Sequence, residues 1–167
     1  MVVDLRFVGG RLVHMPVGTY AWVDIKQFTY RRGEDRQVLA ALLGHREYRD
    51  HYAGGLVDEQ SEHDLHGPYR LAALSAASFT PVTEAQAHTM LESWLSGWDS
   101  SVVSQMRALL VGEVYPLLAG GSVYQLPDLR SDAGHDWGWV VGLSGFYEFV
   151  VLDRGRGKLT VVVVSDD

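Results

Sequence analysis

Residues 158–167 read KLTVVVVSDD, and the four valines at 161–164 constrain the fold more than any other stretch. A membrane span needs about 20 apolar residues, so a run of four cannot cross a bilayer. A strand wetted on one side alternates apolar with polar residues, and this one does not. Leu159, Val161 and Val163 point one way; Thr160, Val162 and Val164 point the other. The segment is therefore expected to be an interior strand covered on both faces. Left open it would be an aggregation hazard, and Lys158, Asp166 and Asp167 stand around it as charged gatekeepers.

Other strand patterns gather at the two ends of the chain. DLRFV and RLVHM flank Gly9-Gly10 and read as a hairpin, with Val8 opposite Arg11 and Leu5 opposite His14. Leu5, Phe7, Leu12 and His14 would share its apolar face, His14 as a half-buried core histidine. TYAWVDIKQFTY alternates again. Ala21, Val23 and Ile25 take one face; Tyr20, Trp22, Phe28 and Tyr30 take the other, interrupted by Asp24 and Lys26. Late in the chain, SVYQL, WGWVV, FYEFVVLD and KLTVVVV are expected strands. A turn centred on Gly155-Arg156, read as type II′, would set Asp153 opposite Lys158, Val150 opposite Val161 and Glu148 opposite Val163.

The middle switches to helical spacing. Val38, Leu39, Leu42 and Leu43 make one stripe, with Asp35 as N-cap and Gly44 as stop. HREYRDHY reads as a short helical continuation and 53–68 as a polar loop. Residues 69–78 are ambiguous: their alanines favour helix, and their brevity leaves a strand open. Thr83 and Gln86 have capping-box spacing ahead of Ala87, Met90, Leu91, Trp94, Leu95 and Trp98. A second helix carries Val103, Met106, Leu110, Val114 and Leu117 until Pro116 ends or kinks it. The expected fold is α+β: a mostly antiparallel sheet of about six strands from both chain ends, with three or so central helices packed on it, over 1–167 as one domain.

Cysteine is absent, so no disulfide, thiolate ligand or thiol nucleophile exists. MVVDLRFVGG shows no secretory pattern, and the chain reads as cytoplasmic. A net charge of −7 argues against nucleic acid, whose binding needs cationic side chains to displace counterions, and suits a basic partner. No membrane partner and no cofactor are expected.

Three clusters carry candidate chemistry. Within 58–66, Glu59 with His63 and Glu62 with His66 are spaced to share a helical face, a loose arrangement for a divalent metal set against a plain solvated loop. Asp132, His135 and Asp136 precede Trp137 and Trp139, where carboxylates could orient a histidine beside an aromatic wall. Glu148 lies among valines, where desolvation raises a carboxyl pKa unless water or an arginine reaches it. GLSG lacks the spacing of a nucleophile elbow, and RGRGKLT lacks that of a phosphate loop. Arg154, Arg156 and Lys158 form a basic tip able to touch a phosphate or an acidic partner.

The build is similar, on no specific motif, to small bacterial immunity or adaptor proteins. The leading expectation is a non-enzymatic protein-binding domain of immunity or inhibitor type for a basic partner, with Tyr20, Trp22, Asp24, Phe28, Tyr30, Trp137 and Trp139 as contact residues. The alternative is a small enzyme or small-molecule-binding protein with a pocket near Trp137, Trp139 and Glu148, using Glu148, His135, Asp132 or Asp136.

Overall fold

A computed structural model describes residues 2–52 and 64–167. Six strands form one antiparallel sheet: β1 (Leu5–His14), β2 (Ala21–Tyr30), β5 (Thr80–Val82), β6 (Ser122–Leu126), β7 (Tyr147–Asp153) and β8 (Lys158–Asp166). Their spatial order is β1-β2-β8-β7-β6-β5. The valine strand therefore lies inside the sheet, between one strand from each end of the sequence. A two-residue pair, β3 (Leu65–His66) and β4 (Tyr69–Arg70), stands apart.

Both faces of β8 are covered, as its composition requires. Leu159, Val161 and Val163 pack with Phe28, Val150 and the buried stripe Val38, Leu39 and Leu42 of α1 (Asp35–Gly44). Val162 and Val164 pack on the other side with Val23, Ile25, Phe149 and the helices α2 (Glu84–Leu95) and α3 (Ser100–Leu109). Each of these valines is at most 1% exposed, worth roughly 1.5–3 kcal/mol apiece by burial. The β7–β8 register matches the expected one, with Glu148 opposite Val163, Val150 opposite Val161 and Asp153 opposite Lys158. Its turn differs: the left-handed residue is Gly157 (φ 60), not Gly155, so the loop is not type II′.

Thr83 caps α2 with the expected box, its side chain accepting from the Gln86 N–H while Gln86 accepts from the Thr83 N–H. Glu34, not Asp35, caps α1. Arg107 of α3 pairs with Glu92 of α2 at 2.8 Å, and Tyr115 beyond α3 stacks on His88, one turn earlier in α2. The two helices thus run antiparallel. Before Pro116 the chain widens by one residue over Leu110–Val114, and the Tyr115 N–H reaches back to the Leu110 carbonyl. Proline lacks an N–H and crowds the preceding turn; the wider turn absorbs both defects before α4 (Tyr115–Leu118) resumes.

Several expectations are corrected. Gly9-Gly10 is not a hairpin turn. β1 runs through it as one strand paired with β2, with an irregularity between Phe7 and Gly9. Glycine serves bulges as readily as turns, and the real reversal is at 15–20, around Pro16 and Gly18. His14 is consequently exposed. WGWVV is not a strand; Gly138–Val140 forms a single tight helical turn. Residues 69–78 are neither α-helix nor one strand, but β4 followed by two short turns, Leu71–Ala73 and Ala76–Ser78. Asp166 is no exposed gatekeeper. It is buried, and its carboxylate accepts the Ser144 N–H at 3.0 Å. No helix among the described residues is long and apolar enough to cross a membrane.

Candidate functional site

Glu148 sits on β7 between Leu126 of β6 and Val163 of β8, facing the α1 side of the sheet. It is fully buried. The partner that burial demands is a histidine, not an arginine: His66 Nε2 lies 2.6 Å from Glu148 Oε2. The Tyr48 hydroxyl donates to Oε1 at 2.6 Å. His66 Nδ1 is 2.6 Å from the Tyr48 carbonyl oxygen, which can only accept, so Nδ1 carries a proton. Nε2 and Oε2 then share one further proton. The pair is imidazolium with carboxylate or imidazole with carboxylic acid, and is net neutral either way. Tyr48 and His66 also stack, centroids 3.7 Å apart. Burial, then the Glu148 charge, pushes the Tyr48 hydroxyl well above its ordinary range.

A second polar cluster adjoins the first. Tyr52 donates to Asp24 Oδ2 at 2.7 Å, and Lys26 lies 3.1 Å from Asp50 and 3.6 Å from Asp24. Burial raises the Asp24 carboxyl, opposed by Lys26 and the Tyr52 hydrogen bond. Tyr52 links three surroundings: its ring stacks on Trp22 at 4.7 Å and meets His66 and Phe146 at 6.1 and 6.2 Å. These clusters tie the segments around 48–52 and 65–67 to the sheet. The sequence gives little sign of Tyr48, Asp50 and Tyr52; only two tyrosines four apart in a charged run hint that one face turns inward.

The aromatic face of β2 is covered. Trp22 is 5% exposed, Phe28 is fully buried, and Tyr30 and Asp24 are buried too. Tyr20 alone of that set faces water, 74% exposed, with a left-handed backbone (φ 55). It borders a groove of about 430 Å³ formed by Leu12, His14, Met15, Val17, Tyr20 and Trp22, with Tyr52 and Asp167 also lining it. Leu12 and Val17 are exposed. The Trp22 indole N–H donates to Asp167 Oδ1 at 2.9 Å.

The loop histidine does not assemble with its neighbouring carboxylates. His135 Nε2 donates to the Gly67 carbonyl at 2.8 Å and Nδ1 accepts the Trp137 N–H at 3.2 Å. Asp132 is exposed on a four-residue helix, α5 (Arg130–Ala133), and Asp136 pairs with Arg70 at 3.4 Å. Trp137 and Trp139 are surface residues, and Glu148 is enclosed beneath its own hydrogen-bond partners. Glu59, Glu62 and His63 lie outside the described residues; His66 is committed to Glu148. Among the described residues, no three His, Asp or Glu side chains are grouped to hold a metal. Compared with known proteins, the chain matches no protein-family model, no curated protein and no solved structure.

Proposed function

We propose that the chain is a non-enzymatic protein-binding domain, of immunity or inhibitor type, that grips a segment of a basic partner in the groove at the β1–β2 reversal. The observation that carries this reading is Tyr20. A bulky residue at positive φ is strained, and strain of this kind concentrates at binding sites. Here it turns an aromatic ring outward beside exposed Leu12 and Val17, over a concave apolar floor. Large exposed aromatics beside apolar walls are common anchors of protein interfaces.

Charge narrows the partner. Among the described residues no lysine or arginine lines the groove, Asp167 contributes a carboxylate, and the whole chain carries −7. An apolar side chain followed by lysine or arginine fits that pattern, and the net charge steers such a partner inward. Action in a bacterial cytoplasm belongs to the same reading. The enzyme alternative around Trp137, Trp139 and Glu148 finds less support, because both Glu148 oxygens are already engaged.

The test is affinity capture from the native host with the intact chain and with Tyr20→Ser/Val17→Asp, followed by titration with the purified captured protein. A partner held by the former and weakened at least about tenfold by the latter is expected, as for loss of interface anchors. Equal affinity for both chains would exclude the groove.

A further inference from the structure

The opposite end of the β1–β2 ribbon has the reverse electrostatic character. Arg6 of β1 stands opposite Thr29 of β2, and Thr29 opposite Lys158 of β8. Cross-strand partners share a face, so a guanidinium, a hydroxyl and an ammonium stand in one row across three strands. Arg31 follows Thr29 by two residues, and Arg156 comes from the β7–β8 turn. Arg6, Thr29, Arg31 and Arg156, with Asp4, line a cleft of about 230 Å³. Three guanidiniums thus crowd one concavity of an acidic protein, against one carboxylate within it. Arg156 has a further neighbour in Asp153, 3.7 Å away, but its side chain is 83% exposed.

Asp4 marks where an anionic oxygen is held. Its Oδ2 accepts from Arg6 Nε at 3.0 Å and from a terminal nitrogen at 2.8 Å. The Arg6 bonds, then the charges of Arg6 and Arg31, keep its carboxyl below the usual range. Two carboxylates, Asp4 on Arg6 and the looser Asp153 beside Arg156, leave the three arginines undercompensated. A tetrahedral dianion suits the remainder, since planar guanidiniums donate paired hydrogen bonds to its oxygens and a threonine hydroxyl can add another.

We propose that this cleft is an anion site for a phosphate monoester, held by Arg6, Arg31 and Arg156 with Thr29, and that the Asp4 carboxylate competes for it. The site is independent of the protein-binding groove, which lies at the other end of the same strands.

The probes are inorganic phosphate and phenyl phosphate, titrated into the full chain at constant ionic strength while backbone amide shifts are followed. Saturable shifts confined to residues 4–6, 29–31 and 156–158 are expected. Arg6→Gln and Arg31→Gln should each weaken binding about tenfold or more, the usual loss for a hydrogen bond to a charged group. Asp4→Asn should tighten it, a result that a merely structural Asp4–Arg6 pair does not give. Arg46→Gln, an exposed arginine outside the cleft, should change nothing, and thermal melts should show every variant folded. Vesicles of phosphatidylcholine containing phosphatidic acid separate the sources of the group. Retention lost in Arg31→Gln assigns a lipid headgroup; no retention beside phenyl phosphate binding assigns a soluble ligand. Unsaturable shifts spread over many arginines, no tightening in Asp4→Asn, or equal weakening by Arg46→Gln overturns the proposal.

Discussion

His66 and Glu148, 82 residues apart in sequence, meet at 2.6 Å and hold a single proton between them in the interior of the protein. Removing one partner leaves the other buried without its counter-group. Glu148→Gln and His66→Phe should each destabilise the fold by about 3–5 kcal/mol in urea unfolding. Replacing both together, as Glu148→Met/His66→Phe, should recover much of that loss, because two apolar groups carry no desolvation cost. A double variant as unstable as the sum of the singles would show that the pair does not act as a unit.

Tyr20 separates stability from binding. A residue without a Cβ adopts positive φ at no steric cost. Tyr20→Gly should therefore leave stability unchanged or raise it by up to about 1 kcal/mol while weakening capture of the partner. A thermal melt and a titration on the same sample check both halves. Loss of stability would mean that the ring, for all its exposure, holds the reversal together.

The β7–β8 turn depends on Gly157. A Cβ there would collide with the Tyr30 carbonyl oxygen, while the Gly157 carbonyl accepts the Tyr30 N–H at 2.8 Å. Gly157→Ala adds a strained φ to that collision and should cost about 1–3 kcal/mol, read from the urea midpoint. Gly155→Ala, with only ordinary contact at the Asp153 carboxylate, should cost far less.

Alkaline pH should unfold the protein in a defined direction. Burial, reinforced by neighbouring carboxylates, raises Tyr48 and Tyr52 well above an ordinary tyrosine value of 10.0. A folded-state value above the unfolded one means that the native state keeps protons the unfolded state releases. The stabilisation is complete below about pH 10 and is lost as pH climbs from there toward the folded-state values. Urea midpoints should fall from about pH 10 upward, and tyrosinate absorbance from these rings should appear only with unfolding. Tyr48→Phe should flatten part of that fall.

The sheet was legible where residues left one solution. Leu159 to Val164 required cover on both faces, and Asp153 with Lys158 pinned the register to β7. Thr83 with Gln86 placed the start of α2, and Pro116 placed the disturbance after α3. Gly9-Gly10 misled because a bulge and a turn call on the same freedom of glycine. Trp22 and Phe28 misled because alternation tells which side a residue faces, not whether something covers that side. Glu148 signalled by burial that it needed a counter-group; which residue met it depended on how 46–52 and 65–66 cross the sheet, and no local pattern encodes that crossing.

The placement of β8 beside β2 has a temporal consequence. Synthesis delivers β1 and β2 long before their inner neighbour, so the ribbon bearing Trp22, Val23, Ile25 and Phe28 leaves the ribosome without shelter on its inner edge. Pairings so distant along the chain close slowly. The nascent sheet thus stays adhesive along β2 until β8 emerges, and a ribosome stalled before Lys158 would release a chaperone client, not a smaller working protein.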